Sequence, residues 1–199
     1  MVRLPRIAVL AAALIGALTL AACATPPPQS RFPEITFKHL PPIRLDVRDI
    51  SVEDDYRAPG TPPNVEHVFP ARPATAATAW GRDRLVAVGT TRHLRYVVRD
   101  ASAVEESLKT KTGLTGVLTV DQSERYALNI VAELQMTADD GRSEGTATAR
   151  VERSITVPED STLAEREKIW FKLVEDAMKE LDTQLEKTIK TVFFQFVVQ

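Results

Sequence analysis

Residues 126–136 carry an apolar side chain at every even position: Tyr126, Leu128, Ile130, Ala132, Leu134 and Met136. Period two is the spacing of one face of a β-strand, so this run predicts a strand with one face in a core. Ala138-Asp139-Asp140-Gly141 follows, and Asp-Gly between alternating runs specifies a tight hairpin. The returning strand sets Gly145, Ala147, Ala149, Val151, Ile155 and Val157 on one face. It sets Thr146, Thr148, Arg150, Glu152 and Ser154 on the other. A hairpin with one apolar face needs a second layer over that face. The small residues Gly145, Ala147 and Ala149 predict a helix in close approach. Arg153 interrupts the apolar face, and is expected at the sheet margin or paired with an acid.

The second layer follows in the chain. Thr162-x-x-Glu165 matches a capping box, preceded by Pro158 and Asp160. Ile169, Leu173, Ala177, Leu181, Leu185 and Ile189 then recur every four residues, and Trp170, Val174, Met178 and Val192 widen the stripe. A helix from Thr162 to Phe196 would run about 50 Å, against about 27 Å for an eight-residue strand. Either the helix breaks, or one end projects beyond the sheet as a contact for a partner. The tail Val192–Val198 is apolar and superficially resembles the aromatic C-terminal segment of outer-membrane barrels. A single strand cannot close a barrel, and open edges are excluded from lipid. The tail is expected to pack into the core or against a partner, with Phe193, Phe194 and Phe196 as candidate partner-binding residues.

Ahead of the hairpin the pattern is weaker. Ile43, Leu45 and Val47 alternate with polar residues, and Asp49-Ile50-Ser51-Val52 continues one residue out of phase, which suggests a bulged strand. A long loop punctuated by Pro59, Gly60, Pro62, Pro63, Pro70 and Pro73 comes next, with Val65–Phe69 apolar enough to dock. Thr75–Val88 reads as a helix, capped by Thr75 or Thr78 and stopped by Gly89, with Gly81 counting against it. His93–Arg99 is a strand that extends through Ala103 towards Leu108, and Thr110–Gly116 is loop-like. The expected fold is α+β: a mainly antiparallel sheet of about four strands with two helices packed on one face, the C-terminal one long. Residues 43–199 form one domain on this reading.

The first 42 residues differ in kind. Arg3 and Arg6 precede an uncharged run from Ile7 to Ala22, the layout of a secretory signal. The run falls short of the roughly 18–20 residues that span a bilayer. Leu20-Ala21-Ala22-Cys23 resembles the lipobox of bacterial lipoproteins, and Cys23 is the chain's only cysteine. The resemblance implies a signal peptide over residues 1–22, cleavage between Ala22 and Cys23, and a diacylglycerol on the Cys23 sulfur, often with a further palmitate-like chain on the new amino terminus. Several chains hold stably where one does not. Ala24 is not the Asp that retains lipoproteins at the inner membrane, so the resemblance implies the outer membrane, facing the periplasm. The competing readings are a permanent membrane helix and ordinary cleavage at Ala22-Cys23-Ala24. Residues 23–42 hold Pro26-Pro27-Pro28, Pro33 and Pro41-Pro42, and read as a lipidated extended tether. In the opposing reading Phe32, Ile35, Phe37 and Leu40 pack on the domain.

With one cysteine the chain forms no internal disulfide, so the fold rests on core burial. The formal charge is −2 and the leader holds two arginines and no acid, which leaves −4 on the mature part. That balance excludes a nucleic-acid binder with a clustered basic face. His39, His67 and His93 lack zinc-site spacing, and the acidic run Glu53-Asp54-Asp55 lacks the EF-hand pattern. Glu105-Glu106 and Asp139-Asp140 read as solvated pairs. Neither a catalytic residue, nor a metal site, nor a cofactor beyond the covalent lipid is expected, and the chain is not expected to be an enzyme.

The lipidated start and the element order resemble the small periplasmic lipoproteins that assist envelope machines. Among these are the lipoprotein partner of the lipopolysaccharide translocon and the auxiliary lipoproteins of lipid-transport ABC systems. The resemblance implies an accessory or assembly factor in envelope biogenesis or transport, bound to a membrane through its lipid and to an envelope protein complex. The alternatives are a lipid or small-ligand carrier with a pocket between helix and sheet, and a structural spacer.

Overall fold

The computed structural model describes residues 32–108 and 122–198. The leader, Ala22, Cys23, the first part of the tether and the loop expected over Thr110–Gly116 lie outside the described residues.

Four strands form the main sheet in the order β2-β4-β5-β6: β2 is Asp49–Asp54, β4 His93–Ser107, β5 Gln122–Thr137 and β6 Ser143–Pro158. The two long pairings are antiparallel, while β2 joins β4 in parallel. Helix α1, Pro73–Arg84, lies over β2 and β4, and helix α2, Leu163–Val192, over β5 and β6. This is the expected α+β arrangement with both helices on one face. The hairpin forms as its sequence dictates. Tyr126, Leu128, Ile130, Ala132, Leu134 and Met136 are all buried, and Gly141 turns the chain with φ +83°.

A second, smaller sheet of order β3-β1-β7 completes the fold. Here β1 is Ile43–Leu45, β3 Leu85–Ala87 and β7 Val197–Val198. It corrects the reading of the first strand. The phase slip between Val47 and Asp49 is not a bulge but the passage from one sheet to the other. Val47 is fully buried at the crossing, and Arg48 N donates to Thr91 O and Arg92 O, each at 2.9 Å.

Helix α1 also departs from its expected bounds. It starts at Pro73, whose fixed φ suits the first helical position, and ends at Arg84, where Leu85–Ala87 becomes strand. Thr78 does not cap; its hydroxyl donates back to Ala74 O and Thr75 O. Gly89 lies beyond the helix, its N–H donating to Val47 O at 2.9 Å. Gly81 stays in mid-helix because a Cβ there would sit 2.7 Å from Cδ1 of Tyr96.

Helix α2 has the expected capping box, with both the Thr162 and Glu165 side chains engaged. It ends at Val192 rather than Phe196, after 30 residues or about 45 Å. Strands β5 and β6 have 16 residues each, about 53 Å, so the helix is no longer than the sheet beneath it. After α2 a 3-10 turn, Phe194–Phe196, leads the tail back to pair with β1. The ring of Phe193 fills the space over Gly145, where a Cβ would meet its Cε1 at 2.8 Å. Arg153 finds its acid, Glu180 of α2, at 2.8 Å.

Candidate interaction surfaces

Residues 32–42 are tied to the domain. The Phe32 ring stacks on Phe171 at 5.1 Å, Phe37 N donates to Asp83 at 2.8 Å, and Pro41 O accepts from Arg84. Arg84 is buried under this segment and also donates to Asp182 at 2.9 Å and Glu186 at 2.6 Å. Asp182 in turn accepts from Trp80 Nε1 at 2.7 Å. One guanidinium thus joins α1, α2 and the segment that carries the chain into β1. Between segment and α2 lies a groove of about 490 Å³, lined in part by Ile35, Phe37, Leu40, Phe171 and Met178. It lies outside α2, not between helix and sheet.

The sheet face opposite the helices is ionic. Arg95 chelates Glu53, with contacts of 2.5 to 2.9 Å, and Arg99 bonds Glu133 at 2.8 Å and Asp55 at 2.5 Å. Val97 lies in register between Glu53 and Glu133 and is fully buried among these side chains. The guanidinium groups hold the carboxyls of Glu53 and Glu133 below the ordinary carboxylate range. Two of the acids read as a cluster after the first strand are therefore paired with arginines. Among the described residues no group of three or more His, Cys, Asp or Glu side chains could hold a metal ion. Of the adjacent acidic pairs, Glu106 faces Arg125 at 3.4 Å and Asp139 faces Arg48 at 2.9 Å.

The three candidate aromatics of the tail part company. Phe193 and Phe196 are buried, with the Arg92 guanidinium 4.8 Å above the Phe196 ring, whereas Phe194 is 69% exposed. In the small sheet, Val86, Arg44 and Val198 lie opposite one another and are all exposed. Val192 and Phe194, at the end of α2 and in the turn after it, are exposed apolar side chains as well. Val198 belongs to the apolar tail already noted, whereas Val86 fell inside the helix expected over Thr75–Val88, because a strand of three residues is too short to show a period. No described helix is long and apolar enough to cross a membrane.

No family model matches the chain, and neither does a curated protein. Among solved structures, a Xanthomonas campestris protein of the family DUF330 is similar at 13% identity and TM-score 0.39, over 83% of this chain and 95% of that one. A minor lipoprotein from Acinetobacter baumannii is similar at 12% identity and TM-score 0.36, over 78% and 98%. A Caulobacter crescentus chain described as a candidate lipoprotein is similar at 11% identity and TM-score 0.31, over 54% and 68%. Likeness at this level carries no argument about function.

Proposed function

We propose that this chain is a non-enzymatic lipoprotein, held by acyl chains on Cys23 at the periplasmic face of the outer membrane. Its domain serves as an accessory or assembly factor in envelope biogenesis or transport and meets an envelope protein through the exposed side chains of Val86, Val198 and Phe194. The carrying observation is the leader: two arginines, an uncharged apolar run, and the chain's only cysteine at the end of Leu20-Ala21-Ala22-Cys23. The docked segment supports it. Eight residues lie between Cys23 and Phe32, a reach of at most about 32 Å over nine steps, so the anchor would keep the domain near the bilayer. The test is Cys23→Ser. Grown with labelled fatty acid, the parent is expected to take up label and the variant none; a parent that takes up none, or a variant that takes up as much, contradicts the anchor.

The carrier reading is favoured by one observation, the groove between residues 33–40 and α2. Native mass spectrometry of the protein released from detergent distinguishes the two. A co-purified lipid supports a carrier, and a mass fully accounted for by the anchored chain supports the accessory role.

A further inference from the structure

The two sheets treat their open faces differently. In the main sheet that face is ionic, as expected where one side of a sheet meets water. In the small sheet Ile43, Leu45 and Leu85 are buried, whereas Arg44, Val86 and Val198 are exposed. Arg44 is the middle of a row, with Val86 opposite it on β3 and Val198 opposite it on β7. Val88, two residues beyond Val86, is exposed as well.

Arg44 differs from the other arginines that sit on strands. Arg95 pairs with Glu53, Arg99 with Glu133 and Asp55, Arg125 with Glu106, Arg150 with Glu152 and Arg153 with Glu180. Among the described residues Arg44 has no carboxylate partner, and both its cross-strand neighbours are valines. The acid two residues on, Asp46, is engaged by Arg92 at 3.4 Å. A cation set between two apolar side chains is complementary to an anion flanked by apolar groups.

We propose that this row docks an amphipathic helix of a partner protein. An Asp or Glu of that helix meets Arg44, and apolar residues one turn to either side meet Val86 and Val198. The inference rests on the contact proposed above through Val86 and Val198, and names what meets it. Spacing selects the helix. Neighbouring strands lie about 4.8 Å apart. Residues one turn apart on a helix face have Cβ atoms about 5–6 Å apart, whereas alternate residues of a strand laid across the row are about 6.7 Å apart. A second copy is disfavoured, because a two-fold axis through the row sets Arg44 against Arg44. A bilayer fits less well too. Val86 and Val198 are only 39% and 38% exposed, too covered to sink the roughly 5–10 Å that interfacial burial takes.

Photo-cross-linking of the full chain in cells, with benzoylphenylalanine in place of Val88, tests this. The expected result is an adduct to another protein. Its joined peptide should carry an Asp or Glu with apolar residues at helical spacing on either side. Arg44→Glu is expected to cut the adduct at least about tenfold at unchanged protein level, and reversing the partner's acid to Arg should restore it. Arg44→Gln, which adds no repulsion, should weaken the adduct as well. An adduct to another protein that Arg44→Glu leaves unchanged, or that the reversal fails to restore, overturns this inference and leaves the proposed contact standing. No adduct from Val88 or from Val198, or adducts only to lipid or to a second copy, overturn both. Loss of folded protein in both Arg44 variants would assign Arg44 to the fold and overturn the inference too.

Discussion

Arg84 Nε lies 2.9 Å from Asp182 Oδ1, in a side chain almost without solvent contact, directly under the backbone that leads into β1. Removing a buried charge leaves its partners unpaired, which typically costs about 3–5 kcal/mol. Asp182 and Glu186 keep some access to water, so Arg84→Ala is expected at the lower end, about 3 kcal/mol. Urea unfolding checks the value, and limited proteolysis should show residues 37–42 newly cleavable. A loss below about 1 kcal/mol would mean that the Phe32–Phe171 stack and the Phe37–Asp83 hydrogen bond hold the segment without Arg84.

Gly81→Ala should invert the usual sign. Alanine in place of a mid-helix glycine ordinarily stabilises by about 1 kcal/mol. Here the added Cβ meets Tyr96 at 2.7 Å and Val52 at 3.2 Å. The ring cannot easily give, because Tyr96 is fully buried and its hydroxyl donates to Ala77 O at 3.0 Å. A destabilisation of about 1–3 kcal/mol by chemical unfolding is expected. Net stabilisation would show that the ring moves aside.

These two sites mark where the sequence was readable and where it was not. The even-numbered run from Tyr126 to Met136, the Asp-Gly turn and the Thr162/Glu165 box are local signals, and each produced its element. Gly81 read as an argument against a helix, because its reason lies on β4, a non-local contact. The shift after Val47 looked like a bulge because a change of sheet and an inserted residue leave the same trace in a periodicity. The expectation of an overlong helix rested on an eight-residue strand, whereas β5 and β6 have 16 residues each; polar Gln122 and Glu124 at the start of β5 and Arg153 within β6 hide that length from the period. Of the candidate surface residues, Phe194 faces outward, while Phe193 and Phe196 are drawn into the core by the turn that starts β7.

The tail should separate by position. Phe193→Ala opens a cavity over Gly145 and is expected to cost about 3–5 kcal/mol. Phe194→Ser touches no core and is expected to change stability by less than about 0.5 kcal/mol. If these exposed residues serve a partner, in-cell cross-linking through a probe at Val198 should give an adduct that Phe194→Ser weakens at unchanged protein level. Equal destabilisation by both substitutions would contradict the placement of the two rings.

Acid should act partly through Glu133. Arg99 holds the Glu133 carboxyl below its ordinary value of 4.5. The unfolded chain therefore binds this proton at higher pH than the folded one, so the contribution is full above the ordinary value and is lost as pH falls through the folded one. Glu133→Gln should flatten the stability profile between about pH 5 and pH 3, by less than about 1 kcal/mol for so accessible a pair. Parallel profiles for parent and variant would remove Glu133 from the acid response.

The central claim is covalent, and one mass decides it. The N-terminal peptide of the chain purified from membranes, measured after proteolysis, is expected to begin at Cys23 and to carry a diacylglyceryl group on its sulfur. A peptide that still contains residues 1–22, or a mature start with an unmodified cysteine, would contradict the account.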